Sequence, residues 1–145
     1  MINPIIVSGL LGWLIAQIIK TILYAIKCDK VVYERIVGAG GMPSSHTSMV
    51  ISSLITVGRW AGTNTVMFGV AFIFSCIVIY DAMGVRRAAG QHAKALNIIQ
   101  KTISEGKTDE TDKKELKELL GHTPLEVVGG AIVGIIVGIL VPVKG

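Results

Sequence analysis

Two histidines, His46 and His122, lie in similar surroundings, the runs Gly41-Met42-Pro43-Ser44-Ser45-His46 and Gly121-His122-Thr123-Pro124-Leu125-Glu126. Imidazoles ionise near neutral pH, so such a pair offers a nucleophile and a proton donor. Proline suits the first position of a helix, and Pro43 and Pro124 each mark a helix start. A helix start presents backbone N–H groups and the positive end of the helix dipole, which together favour phosphate. The glycines before Pro43 let backbone approach a ligand closely. Arg86 and Arg87 supply guanidinium groups suited to bidentate contact with phosphate oxygens. Glu126, four residues after His122, can orient that imidazole and stabilise its cationic form. These residue types describe anion handling, above all phosphoryl transfer, without need of a metal or cofactor where arginines and helix ends balance the charge.

Each group also has a plainer role. Thr123 and Glu126 form a Thr-x-x-Glu capping box. Arg86 and Arg87 suit the cytoplasmic end of a membrane span, and Asp81 can pair with one of them or with Lys20. His92 reads as a surface histidine. Lys20 and Gln17 make a polar stripe on one helix face. Three destinations are open to Lys20: the membrane boundary by snorkelling, the phosphate site, or Asp81.

The elements that must position these groups follow from composition. In 145 residues, hydrophobic types reach 51% and charged types fall to 17%, with a mean hydropathy of +0.63. That excludes a disordered chain and a large multidomain enzyme. The apolar residues gather in long blocks with most charges between them, which predicts an all-α integral membrane helical bundle forming a single domain over residues 1–145. About four transmembrane helices are expected, at 3–26, 44–60, 63–82 and 125–143, the second with a polar first turn. A cytoplasmic amphipathic helical hairpin is expected over about 90–121, lying on the membrane or on a partner subunit. Leu96, Ile99 and Ile103 mark its first helix, and Leu116, Leu119 and Leu120 its second.

Lys27, Lys30 and Arg35 lie in the first connection, and Arg86, Arg87, Lys94, Lys101 and others in the third, an even number of crossings away. Arg59 and Lys144 lie on the opposite side. The positive-inside rule then puts both basic connections in the cytoplasm and both termini outside, in a plasma membrane of bacterial type. In that topology His46, Asp81, Arg86, Arg87 and His122 all fall at the cytoplasmic boundary. Cys28 and Cys76 stand isolated and suggest neither a disulfide nor a metal site. Gly130, Gly134 and Gly138 repeat every fourth residue and allow close helix packing, within the monomer or across a homodimer through the fourth span. The expected partners are membrane lipid and a phosphorylated lipid substrate. No aromatic-interleaved basic patch points to nucleic acid.

Three runs carry a family likeness: Gly40-Gly41-Met42-Pro43-Ser44-Ser45-His46, Tyr80-Asp81-Ala82-Met83-Gly84-Val85-Arg86-Arg87, and Gly121-His122-Thr123-Pro124-Leu125-Glu126-Val127. Together they resemble the divergent branch of the type 2 phosphatidic acid phosphatase superfamily, which is related to bacterial acid phosphatases and vanadium-dependent haloperoxidases. The resemblance implies that Ser44, Ser45 and His46 occupy the Pro-Ser-Gly-His motif, with Ser45 replacing glycine. It implies that His122 and Glu126 stand for His-x3-Asp, with glutamate for aspartate, and Arg86 or Arg87 for the arginine of that motif. The Lys-x6-Arg-Pro motif is not matched: Lys27 and Arg35 are one residue too far apart and no proline follows Arg35, so Lys30 and Arg35 are the loop candidates, with Lys20 behind them. The implied function is hydrolysis of a lipid or polyprenyl phosphate monoester, with His122 as nucleophile and His46 as acid. Ser44, Ser45, Arg86 and Arg87 would hold the phosphoryl group. The alternative is a non-catalytic membrane protein that binds anionic lipid headgroups.

Overall fold

The computed structural model describes residues 3–28, 41–104 and 123–143, of which 27, 28, 85–89 and 100–104 are described by backbone alone. Every regular element among them is helical: α1 (Pro4–Cys28), α2 (Ser45–Ala61), α3 (Val66–Met83), α4 (Val85–Ser104) and α5 (Pro124–Leu140). α2 is the hub and packs on α1, α3 and α5. Ser8 meets Ser52 and Thr56, whereas Lys20 meets Ser45, so α1 runs antiparallel to α2. Ser75 reaches Val50 while Gly58 faces Phe68, so α3 is antiparallel as well. Gly130, Gly134 and Gly138 follow Ser44, Ser48 and Ser52 in order, which makes α5 parallel to α2. Among the described residues, the end of α1 and the starts of α2 and α5 therefore share one end of the bundle with the end of α3.

The bundle is built inside out relative to a protein in water. The largest fully buried side chains are Thr47, Thr56, Ser8, Ser44, Ser45, Ser48 and Ser52, while Leu10, Ile18, Val70, Phe74, Ile77 and Ile136 are exposed. In a bilayer, apolar side chains gain nothing by leaving lipid, so helices associate through small residues and hydroxyl groups that need partners. The α1–α2 seam shows this. Ser8 and Ser52 each donate to the other's carbonyl at 3.0 Å, Thr56 donates to Ser8 Oγ at 2.7 Å, and Ser48 donates to the Gly12 carbonyl at 2.8 Å. α1 and α3 are long and apolar enough to cross a membrane, and α5 is a shorter apolar helix. α2, also short, carries the hydroxyl seam.

The helix ends differ from the sequence expectations in instructive places. Pro43 is not the first helical residue. Ser44 takes the N-cap, accepting from Thr47 N at 3.3 Å, because its side chain supplies the acceptor the first turn lacks. Pro124 does open its helix, behind the Thr123 cap. α3 begins at Val66 rather than near Thr63, since Thr65 caps it through Phe68 N. After Gly84 the chain turns helical again at once, so Arg86 and Arg87 lie in the first turn of α4 and not at the end of α3. The amphipathic helix expected from about 90 thus starts at Val85; the rest of the expected hairpin lies outside the described residues.

Arg59, at the far end of α2, donates through Nη1 to the carbonyls of Gly138 at 2.7 Å and Val141 at 2.8 Å. Gly138 belongs to the last turn of α5 and Val141 is its C-cap, where carbonyls lack intrahelical donors. Replacing Arg59 by alanine removes a charged cap and is expected to cost about 1–2 kcal/mol, measured as a lower unfolding midpoint in detergent.

Candidate functional site

One end of the bundle gathers residues distant in sequence. The Gly41–Ser44 loop enters α2 with a cis Met42–Pro43 bond and with Gly41 at φ +101°. A Cβ at Gly41 would sit 3.5 Å from Lys20 Cγ, an ordinary contact, so glycine is needed there for its backbone angle rather than for space. The loop is clasped from two sides. On one, Lys20 of α1 lies against it. On the other, the backbone N–H of Ser44 donates to the Glu126 carbonyl at 2.9 Å, and Gly129 faces Met42 and Pro43.

Gly130 explains why that clasp is so close. A Cβ on this residue would run into the Ser44 carbonyl oxygen and stand 3.0 Å from Thr47 Cβ. Gly134 and Gly138 repeat the approach against Ser48 and Ile51, then Ser52 and Ile55. The glycine series is therefore spent within one chain, against α2. A homodimer through this helix would use its other faces.

Lys20 is only 3% exposed, and Nζ donates to Ser45 Oγ at 3.4 Å. The ammonium thus sits inside the bundle, at the first turn of α2. Gln17, one turn earlier on α1, is also buried. Ser44 and Ser45 are buried as well, at 0% and 1% exposure, and Ser44 Oγ accepts from both Thr47 N and Thr47 Oγ1. That leaves the single Ser44 hydroxyl hydrogen to donate elsewhere. His46 is half-buried and faces the groove between α2 and α3.

Glu126 performs the capping role. Its Oε2 accepts from Thr123 N at 3.0 Å, while Thr123 Oγ1 accepts from Glu126 N at 3.4 Å. The carboxylate thereby fixes the residue that directly follows His122. His122 itself, with Lys30 and Arg35, lies outside the described residues. Arg86 and Arg87 are placed by backbone, at the start of α4. Among the described residues, no group of three His, Cys, Asp or Glu side chains could hold a metal ion.

The structure thus brings together Lys20, Ser44, Ser45 and the start of α5 with Glu126, and sets His46 beside them in sequence and space. Sequence reading missed Thr47, which ties up Ser44, and the Ser8–Gly12 side of the hydroxyl seam. The recurrence of Ser48, Ser52 and Thr56 every fourth residue was the available signal.

Comparison with known proteins places the chain. Residues 1–137 match the model of a family described as divergent PAP2. The chain is 35% identical over 140 residues to the uncharacterized membrane protein YuiD of Bacillus subtilis, covering 90% of this chain and 89% of that one. No solved structure matches.

Proposed function

Because the chain belongs to the divergent PAP2 family, we propose that it is a membrane phosphatase that hydrolyses a lipid or polyprenyl phosphate monoester through a phosphohistidine at His122. The observation that carries this reading is the buried Lys20 ammonium at Ser45, in the first turn of α2. A helix start presents backbone N–H groups at the positive end of a dipole, and the lysine ammonium adds charged donors beside them, so the two together suit phosphate oxygens. The phosphate of a membrane-anchored ester is an anion of that kind.

In this mechanism a His122 ring nitrogen attacks phosphorus as the ester P–O bond breaks, and His46 gives its proton to the departing oxygen. Water then attacks phosphorus, the P–N bond breaks, and His46 takes the water proton, releasing phosphate and restoring both imidazoles. Lys20, Ser44, Ser45, Arg86 and Arg87 hold the phosphoryl oxygens, with Lys30 and Arg35 adding positive potential around them. Glu126 acts as a positioning residue, through the cap that holds Thr123 beside His122. The excess of basic residues in the first and third connections supports a cytoplasmic site with both termini outside.

A second reading, a non-catalytic binder of anionic lipid headgroups, draws on a different observation. Ser44 and Ser45 are buried, Ser44 caps α2, and Glu126 caps α5, so groups assigned to chemistry also serve the fold. Phosphate release from a long-chain phosphate monoester by purified protein, blocked by vanadate and unaffected by EDTA, is the test. Binding without release would favour the second reading. Lys20→Met is expected to lower turnover about 10²–10³-fold, read as phosphate release by the purified protein.

A further inference from the structure

His46 opens into a groove of about 280 Å³ between α2 and α3. Met49, Val50, Ser53 and Leu54 line it from α2, and Ala71, Phe74, Ser75 and Val78 from α3. Val50, Leu54 and Ser75 are buried at its floor, whereas Met49 and Phe74 are exposed at its edges. Its two serines do not make it polar. Ser75 Oγ donates to the Ala71 and Val50 carbonyls at 2.7 and 3.4 Å, and Ser53 Oγ donates to the Ile5 carbonyl at 3.5 Å. The lining is therefore apolar except at His46. From His46 to Leu54 the groove follows α2 for roughly 12 Å, at about 1.5 Å per residue.

The order of groups along this path has a chemical meaning. Lys20 and Ser45 lie at the start of α2, His46 follows, and the apolar walls continue away from them. That is the pattern of an amphiphile: an anionic head, the bond to be broken, then hydrocarbon. We infer that the α2–α3 groove holds one hydrocarbon chain of the substrate, joined directly to the oxygen that His46 protonates. The inference rests on the proposed phosphatase chemistry for the position of that oxygen. When the P–O bond breaks, its electron pair stays on the ester oxygen, which takes the His46 proton. The product is a long-chain alcohol still lying in the groove. The substrate class is then a single-chain alkyl or prenyl monophosphate, in preference to a phosphate lipid with two chains.

Ala71 is the point of attack for a test. It is half-buried, stands at the Leu54 end of the groove, and is removed from Lys20 and Ser45. Ala71→Val and Ala71→Phe fill the groove in increasing degree without touching the phosphate site. Hydrolysis would be followed with hexadecyl phosphate, with dipalmitoyl phosphatidate and with water-soluble phenyl phosphate. Binding would be measured in parallel with radiolabelled hexadecyl phosphonate, which cannot be hydrolysed. The wild-type protein is expected to prefer hexadecyl phosphate over the two-chain lipid. Ala71→Phe is expected to lower kcat/KM for hexadecyl phosphate about tenfold or more, with Ala71→Val between, and to leave phenyl phosphate unchanged. Phosphonate binding should weaken in the same order.

An equal loss on all substrates, no loss on any, or a change of oligomeric state in place of a chain-specific loss would overturn the inference. The last result would make the groove a contact between copies. Phosphonate binding that weakens in the two variants while no substrate is hydrolysed would keep the groove and remove the phosphatase reading. Hydrolysis indifferent to the Ala71 series would do the reverse.

Discussion

Replacing His122 by alanine is expected to abolish phosphate release, with a fall in turnover on the order of 10⁴-fold or more, while the protein remains folded. The expectation follows from the chemical role: without the attacking imidazole no covalent intermediate forms, and the remaining cations bind phosphate without breaking its ester bond. The fold should survive because the clasp between Ser44 N and the Glu126 carbonyl uses backbone atoms, and the α5 cap begins at Thr123. His46→Ala should behave differently. Loss of the acid slows departure of the alcohol by about 10²–10⁴-fold, and phosphoprotein formation from substrates with an acidic leaving group, such as p-nitrophenyl phosphate, should be spared most of that loss. Rapid quenching of the wild-type protein with a radiolabelled substrate should trap an acid-labile, base-stable phosphoprotein, absent from His122→Ala. Full activity in that variant would end the histidine mechanism and leave the headgroup-binding reading.

Gly130→Val is expected to be the most damaging substitution away from the histidines. The added Cβ would collide with the Ser44 carbonyl oxygen and press on Thr47 and Ser44 side-chain carbons at 3.0 and 3.1 Å. Backbone cannot yield as a flexible side chain can, so α5 must move away from α2. Overpacking of this kind costs about 1–3 kcal/mol, and here it also breaks the bond that docks α5 on the Ser44 loop. Activity and the unfolding midpoint should therefore fall together. Gly69→Val supplies the comparison: nothing lies within 4 Å of that position, which is exposed on α3, so both should stay near wild type. Equal effects from the two substitutions would show that the tight α2–α5 approach does not govern the site.

Much of this architecture was legible because a bilayer simplifies the code. Apolar blocks declare themselves, and the helices at 4–28, 45–61, 66–83 and 124–140 lie close to the blocks read from the chain, the first and third of them long and apolar enough to cross a membrane. The Thr123–Glu126 capping box was legible too, since it is a contact between residues three apart. Local competition was harder to read. Ser44 and not Pro43 organises the start of α2, because a hydroxyl that can accept from Thr47 outweighs proline's preset backbone angle. Arg86 and Arg87 belong to α4, because Gly84 separates two helices with hardly any loop between them.

The residue types and spacings alone determined that this chain is helical and membrane-embedded, where its helices begin and end to within a few residues, and which polar groups stand near helix starts. Tertiary structure decided which of those groups meet. It buried Lys20 against Ser45, turned Gly130, Gly134 and Gly138 against α2 of the same chain, and closed the Ser44 loop on Glu126. The physical reason is that apolar periodicity reports what lipid and protein each touch but carries no record of helix pairing. In a membrane that pairing is set by how near two backbones can come and which hydroxyls find carbonyls across the gap, and those contacts join residues far apart in the chain.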